Sequence, residues 1–308
     1  MKWNKLGCIY SVENENNWMV SHAQLPTPFL MDDRIRVFIM TRNAQNMSRI
    51  GFVDLDRQQP DKVLGISQKP ALDLGPCGGF DDRGVAPSCM VEVNGRWLMY
   101  FVGITPKVTV PLSYAIGVAE YDHASETFKR LYPGPVVDRT PHECFLFTSP
   151  FVHHYQQEWR MYYTSGTGWV DINDTPEMLY DIKLAQSSCG TLWQRPNHSC
   201  LQPDYPEEAL ARPWIIETDQ GLTMYYCHRG SRGFREGQNA YAIGQATSQD
   251  GMQWERLPDP PDLGPSEQGW DSQMTAYPAL LKVDGRYLMF YNGNGFGKSG
   301  FGIAELVE

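Results

Sequence analysis

The sequence predicts an all-β fold, a five-bladed β-propeller with four-stranded antiparallel blades, and three observations carry that prediction. The first is a recurring phrase: Met99-Tyr100-Phe101, Met161-Tyr162-Tyr163, Met224-Tyr225-Tyr226 and Met289-Phe290-Tyr291. Each copy follows a turn and an apolar run that opens on a proline. The second is the interval between those prolines. Pro28, Pro87, Pro150, Pro213 and Pro278 succeed one another at 59, 63, 63 and 65 residues, and self-similarity at a fixed period marks a repeat architecture. The third is the text of one repeat, Ala209–Leu257. Its runs Arg212–Ile216, Leu222–Tyr226, Tyr241–Ala246 and Trp254–Leu257 include the turns Thr218–Gly221 and Ser248–Gly251 between them, as in an antiparallel meander. Four strands in five repeats make five blades. The period exceeds the ~40–50 residues of common propeller repeats, so each blade carries extra loop, where function tends to sit.

Module one, about residues 20–72, has its first strand after Pro28, its second at Arg36–Met40 and its third at Arg49–Leu55. Module two, 73–135, sets Gly79-Phe80-Asp81-Asp82-Arg83-Gly84 before Ala86-Pro87. Module three, 136–200, sets His142-Glu143 before Ser149-Pro150 and carries a long loop, Ser165–Tyr180, after its second strand. Module four, 201–262, is the meander described above. Module five, 263–308, has Gly269-Trp270-Asp271-Ser272-Gln273-Met274 before Tyr277-Pro278, then Tyr291-Asn292-Gly293-Asn294-Gly295. No helical period is sustained, so almost no helix is expected. The even repeats read as one domain, 1–308.

The last blade lacks an outer strand. Modules two, three and four end on Phe128-Lys129-Arg130-Leu131, Trp193-Gln194-Arg195 and Trp254-Glu255-Arg256-Leu257, whereas module five stops after Gly302–Leu306. The missing phrase stands at the other terminus as Trp3-Asn4-Lys5-Leu6. Residues 1–10 are therefore expected to pair antiparallel with Gly302–Leu306, covering an open edge and closing the ring.

Composition narrows the partners. A hydrophobic content of 42% supports a large core, and 20% charged residues argues against disorder. The formal net charge of −10 disfavours nucleic acid and anionic membrane surfaces. No apolar run approaches the roughly 18 residues of a spanning helix, and the first residues lack a signal-peptide core. The seven cysteines include no CxxC pair, so free thiols in a reducing cytoplasm are expected, with no metal site.

In a meander, the start of strand one and the loop between strands two and three share one end, so residues before each proline should converge on one mouth. Those positions supply His22 with Gln24, then Asp81, Asp82 and Arg83, then Glu143, then Glu207, Glu208 and Arg212, then Asp271 and Gln273. The loops add Arg42, Trp169, Arg229, Asn292, Asn294 and Lys298. Paired carboxylates are what glycoside cleavage needs, one as acid and one as base or nucleophile, and crowding raises the pKa of one of them. Asp81, Asp82, Glu143, Glu207 and Asp271 are the catalytic candidates; the plain alternative is a set of solvated turn residues. The basic residues fit an anionic ligand, such as a sugar phosphate, nucleotide sugar or acidic sugar, or else pair with the neighbouring acids. Trp169 could stack on a sugar ring, although Trp in a β-blade is more often core, and Asn292-Gly293-Asn294-Gly295 also reads as a plain turn.

At these residues the sequence resembles the five-bladed propeller glycosidases, which include arabinanases and xylosidases, invertases and fructosyltransferases, and mannoside phosphorylases. The matching stretches are Trp18–Ala23, Phe80–Gly84, Ala211–Trp214, Gly269–Ser272 and Tyr291–Gly295, and they look closest to uncharacterised bacterial glycosidase-like proteins of sugar or surface-polysaccharide biosynthesis. The resemblance implies a carbohydrate-active enzyme acting on a glycosidic bond by hydrolysis or transfer. It also allows a calcium ion on the axis, although no oxygen-ligand loop of recognised spacing is present. Two departures stand out. The first-blade mouth shows His22 and Gln24 where the hydrolases place an Asp, and Gln273 stands where the closer group is expected to hold an acid. An amide cannot serve as a general acid, so a non-catalytic propeller binding an acidic glycan or a protein partner is the rival reading.

Overall fold

The structure is a computed structural model and describes residues 2–259 and 261–307. Met1, Pro260 and Glu308, which fall within the expected module boundaries, lie outside the described residues. The chain opens with β1 (Trp3–Tyr10). A first unit follows, β2 (Ser21–Leu30), β3 (Arg34–Arg42), β4 (Ser48–Asp56) and β5 (Val63–Ile66). The second is β6 (Gly84–Val93), β7 (Arg96–Pro106), β8 (Leu112–Asp122) and β9 (Thr127–Arg130). The third is β10 (Phe147–Tyr155), β11 (Glu158–Ile172), β12 (Thr175–Ser187) and β13 (Gln194–Leu201). The fourth is β14 (Ala209–Thr218), β15 (Gly221–Arg229), β16 (Ala242–Ser248) and β17 (Glu255–Arg256). The last is β18 (Ala276–Val283), β19 (Arg286–Asn292) and β20 (Phe301–Leu306). Each unit is an antiparallel meander; a single parallel bridge, Ser48↔Gly84, joins the first two.

β1 completes the last sheet. It pairs antiparallel with β20, Trp3 opposite Leu306 and Lys5 opposite Ala304, the partner that the phrase Trp3-Asn4-Lys5-Leu6 predicts. The first strands β2, β6, β10, β14 and β18 each neighbour the next, and β18 also neighbours β2. Their apolar faces feed a core that includes Val37, Ile116, Tyr162, Leu210 and Phe290 from all five units. The aromatic phrases form the middle of it, since the pleat buries alternate residues on both sheet faces: Tyr100, Tyr162, Tyr225 and Tyr291 have no exposed surface.

Three details differ from expectation. The repeated prolines lie inside the first strands, and Pro87, Pro150, Pro213 and Pro278 each sit at a register shift. In three units the residue before the proline is left-handed: Ser149 (φ 50°), Arg212 (φ 55°) and Tyr277 (φ 59°). In the first unit that conformation falls on Leu25 (φ 56°), so Pro26 rather than Pro28 is the structural counterpart. A side chain held left-handed costs on the order of 1–3 kcal/mol, and here the bulge with its proline holds it.

The expected loop Ser165–Tyr180 is instead mostly strand. β11 and β12 run on past a bulge at Gly166/Gly168 to a two-residue turn, Asn173-Asp174. Both turn residues have positive φ, as a tight hairpin requires. The remaining departure is minor: Asn294–Gly297 forms a short turn in which Gly295 and Phe296 are left-handed. Among the described residues, no helix is long and apolar enough to cross a membrane.

Candidate ligand-binding site

A cavity of about 700 Å³ opens where the first strands begin and the second strands end. All five units contribute, because that end of each meander brings the start of strand one beside the loop after strand two. The extended β11–β12 hairpin supplies Trp169, Glu177 and Tyr180, and the loop after β15 supplies Phe234 and Arg235. Four arginines line the cavity, Arg42, Arg83, Arg229 and Arg235, against one carboxylate, Glu177.

Glu177 is buried and takes both hydrogen bonds of Arg235, one at 3.0 Å to Oε2 and the other to Oε1. Arg229 is enclosed: it donates to the Tyr180 hydroxyl (3.2 Å) and to the carbonyls of Met178 and Gly230, and its guanidinium lies 3.9 Å over the Phe234 ring. Tyr180 and Tyr241 share a hydroxyl contact. Burial, then the neighbouring Tyr180, pushes the Tyr114 phenol up to about 12, so it is a neutral donor at any physiological pH. Arg42 donates to Gln24 Oε1 at 2.8 Å and Asn46 Oδ1 at 3.3 Å; burial lowers its pKa.

Of the residues expected at the mouth, Gln24, Arg42, Arg83, Trp169 and Arg229 line this cavity and the others do not. The carboxylates were expected to share one mouth. The structure instead draws four units' acids into ion pairs within their own sheets. Asp81 accepts from Arg130 Nε at 2.6 Å, Glu143 Oε2 lies 3.2 Å from Arg195, Glu208 takes Arg256 at 2.8 and 3.0 Å, and Asp271 takes Lys5 at 2.7 Å. Each cation is the third residue of the outer-strand phrase. The third residue of the Met-Tyr-Tyr phrase completes each cluster: Tyr163 and Tyr291 donate to Glu143 and Asp271, Tyr226 accepts from Arg256, and Phe101 lies 5.7 Å beneath Arg130. All four acids are buried. The repeated acid thus forms a clasp between the entry loop and the outer strand in four units. Asp82 caps the turn at Gly78, accepting its N–H at 2.9 Å, and Glu207 pairs with Arg232 at 2.9 Å near the surface.

The expected binding residues also separate. Arg212 is buried in the centre, donating to Ser88 Oγ (3.0 Å), Thr27 Oγ1 (3.0 Å) and the carbonyls of Pro87 and Pro26. It thus ties β14 to β2 and β6. Asn292 is spent on backbone, accepting from Leu25 and donating to Ala23 and Gly300; Asn294 fixes the turn by accepting from Gln273 N–H. The Gln273 side chain is exposed, as is Lys298, and His22 is half-buried at the start of β2. Sequence reasoning passed over Glu177, Arg235, Phe234 and the tyrosines. Their one available signal was length, since the segments after β11 and β15 are long for a meander.

Axial calcium does not fit these residues. The centre holds the Arg212 guanidinium, and the described residues contain no group of three or more His, Cys, Asp or Glu able to hold a metal. Calcium needs six to eight oxygens, carboxylates among them.

No family model matches the chain. "Uncharacterized protein Rv1502" of Mycobacterium tuberculosis strain H37Rv is 34% identical over 308 residues, spanning 99% of both chains. The chain belongs to the Rv1502 family. Solved structures similar to this family member include one described as "Glycoside hydrolase", with a TM-score of 0.77 at 16% identity, covering 99% of this chain and 92% of that one. A structure from "The GH130 family of mannoside phosphorylases contains glycoside hydrolases that target beta-1,2 mannosidic linkages in Candida mannan" has TM-score 0.71 at 14% identity, covering 98% and 93%. That of "a thermostable family-43 glycoside hydrolase" has TM-score 0.69 at 15% identity, covering 96% and 93%. At such identities the likeness is one of fold, and this Rv1502-family chain shares the fold of those glycoside-hydrolase structures.

Proposed function

We propose that this protein binds an anionic carbohydrate in the cavity shared by its five units, and that those units are the blades of one closed propeller over 1–308. The observation that carries the reading is the charge imbalance of the cavity, four arginines to one carboxylate, on a chain whose formal net charge is −10. Guanidinium forks suit carboxylate or phosphate oxygens, and the aromatic walls suit the apolar faces of a sugar ring. The fold, shared with glycoside hydrolases and a phosphorylase family, supports a sugar as the rest of the ligand. Binding is favoured over hydrolysis because a cleavage site with two facing carboxylates finds only Glu177 on the cavity wall, already held by Arg235.

The test is calorimetric titration of the full chain with acidic and neutral oligosaccharides. Acidic ligands should bind, and Arg83→Ala should weaken them about tenfold, the loss of one charge-assisted hydrogen bond. Trp169→Ala should weaken acidic and neutral ligands alike. Equal affinity for neutral and acidic ligands would overturn the anionic reading. Turnover of aryl glycosides, abolished by Glu177→Gln, would overturn binding in favour of catalysis.

A further inference from the structure

The cavity's arginines are unequal. Arg235 is neutralised by both oxygens of Glu177, and Arg229 is enclosed by hydroxyl, carbonyls and an aromatic face. Arg42 differs from both. A guanidinium carries five N–H donors, and Arg42 meets neutral amides, Gln24 and Asn46, with no acid in ion-pair reach among the described residues. It is half-buried beside the cavity. A desolvated cation without a counterion is unfavourable, and an anion from solution would relieve it.

One further cation, Lys298, and an uncharged imidazole, His22, meet this corner. Ser21 pairs across the sheet with Arg42, and the next residue, His22, holds its Nδ1 2.9 Å from Ser21 Oγ. Lys298 follows Gly297, where a Cβ would lie 3.0 Å from the Gln24 Cα, so the turn after β19 abuts the start of β2. Burial, then the charges of Arg42 and Lys298, hold the His22 imidazole down to about 4. The pairing of Ser21 with Arg42 and the abutment of the turn after β19 on Gln24 bring the three residues to one corner.

We propose that the Arg42 corner, with Lys298 and His22 beside it, seats a phosphate-type dianion, and that this is the anionic group of the ligand. One guanidinium satisfies a carboxylate through its fork; an acid-free corner with two cations, Arg42 and the exposed Lys298, matches a charge near −2. The inference rests on the cavity being an anionic-saccharide site. The dianion is either the phosphate of a phosphorylated sugar or inorganic phosphate bound beside a neutral one.

The experiment titrates the full chain at pH 7 and constant ionic strength with inorganic phosphate, acetate, glucose, glucose 6-phosphate and glucuronate. Phosphate should bind at least about tenfold more tightly than acetate, and Arg42→Gln should remove about tenfold of that affinity while the urea midpoint stays near that of the wild type. Lys298→Gln, on an exposed residue that cannot compromise folding, should weaken phosphate and leave glucuronate unchanged. Tighter binding of glucose 6-phosphate than of phosphate supports the sugar phosphate; mutual enhancement between phosphate and glucose supports inorganic phosphate. Undetectable phosphate binding, equal binding of acetate, or phosphate affinity indifferent to both substitutions overturns the inference. Glucuronate bound in a Trp169-dependent way without any phosphate binding would sink this inference and leave the cavity reading intact. Arg42-dependent phosphate binding with no saccharide bound would do the reverse.

Discussion

Arg212 carries a positive charge to the centre of the molecule, where its partners are two hydroxyls and two carbonyls rather than a carboxylate. Burial lowers its pKa to about 10, so it remains protonated at neutral pH. Two opposing effects decide its worth. Burying the cation is costly, yet removing it strands four acceptors where the packed first strands leave little room for water. Each stranded group costs about 1–3 kcal/mol, so Arg212→Met should destabilise by about 3 kcal/mol or more in urea unfolding. A variant more stable than wild type would show that the burial of the charge dominates. The same residue bears on metals: because a guanidinium stands where an axial cation would, a chelator or added calcium should leave the melting temperature unchanged. A rise of several degrees with calcium would contradict this placement.

The clasp is the device that repeats at the scale of the element. Strand one enters each of four sheets past a buried acid, and the outer strand returns a cation to it, so the first and last strands of the sheet are held together. Breaking a buried pair from one side costs about 3–5 kcal/mol. Glu208→Gln should therefore lose stability of that order, and a double-mutant cycle with Arg256→Met should show strong coupling. Acid should act through the same acid. Burial pushes the Glu208 carboxyl up, but hydrogen bonds from His228 and Arg256 outweigh it and hold the pKa at about 2, below the ordinary 4.5. A depressed folded pKa contributes stability that is complete above about 4.5 and drains away as pH falls toward 2. The stability gap between wild type and Glu208→Gln should narrow over that window. A gap constant from pH 6 to pH 2 would refute the assignment.

For the molecule as a whole, the decisive contact joins its ends. β1 supplies the fourth strand of the last sheet, the fourth cation through Lys5, and a buried Trp3 whose ring meets Tyr225 of the neighbouring unit edge-on at 5.9 Å. Deleting residues 1–10 would expose the edge of β20 and leave Asp271 buried without its cation. The deletion should lower the melting temperature by well over what Lys5→Met alone produces, and should promote aggregation measurable by light scattering. An unchanged melting temperature would mean the last sheet holds without its outer strand.

The sequence by itself determined the all-β class, the repeat interval, the meander order and the partner of the N-terminal strand, because strand periodicity and turn chemistry are local and recur along the chain. It also displayed both halves of every clasp, Asp81 with Arg130, Glu143 with Arg195, Glu208 with Arg256 and Asp271 with Lys5, but not their union. The halves lie some fifty residues apart, or at opposite termini, and only the folded sheet puts them in contact. The same limit hid the cavity. Glu177 and Arg235 come from different units, and whether an arginine meets an acid, as Arg235 does, or meets only amides, as Arg42 does, follows from packing between units. Residue identity supplied the charges; the tertiary structure decided which were neutralised internally and which were left in the cavity without an acid partner.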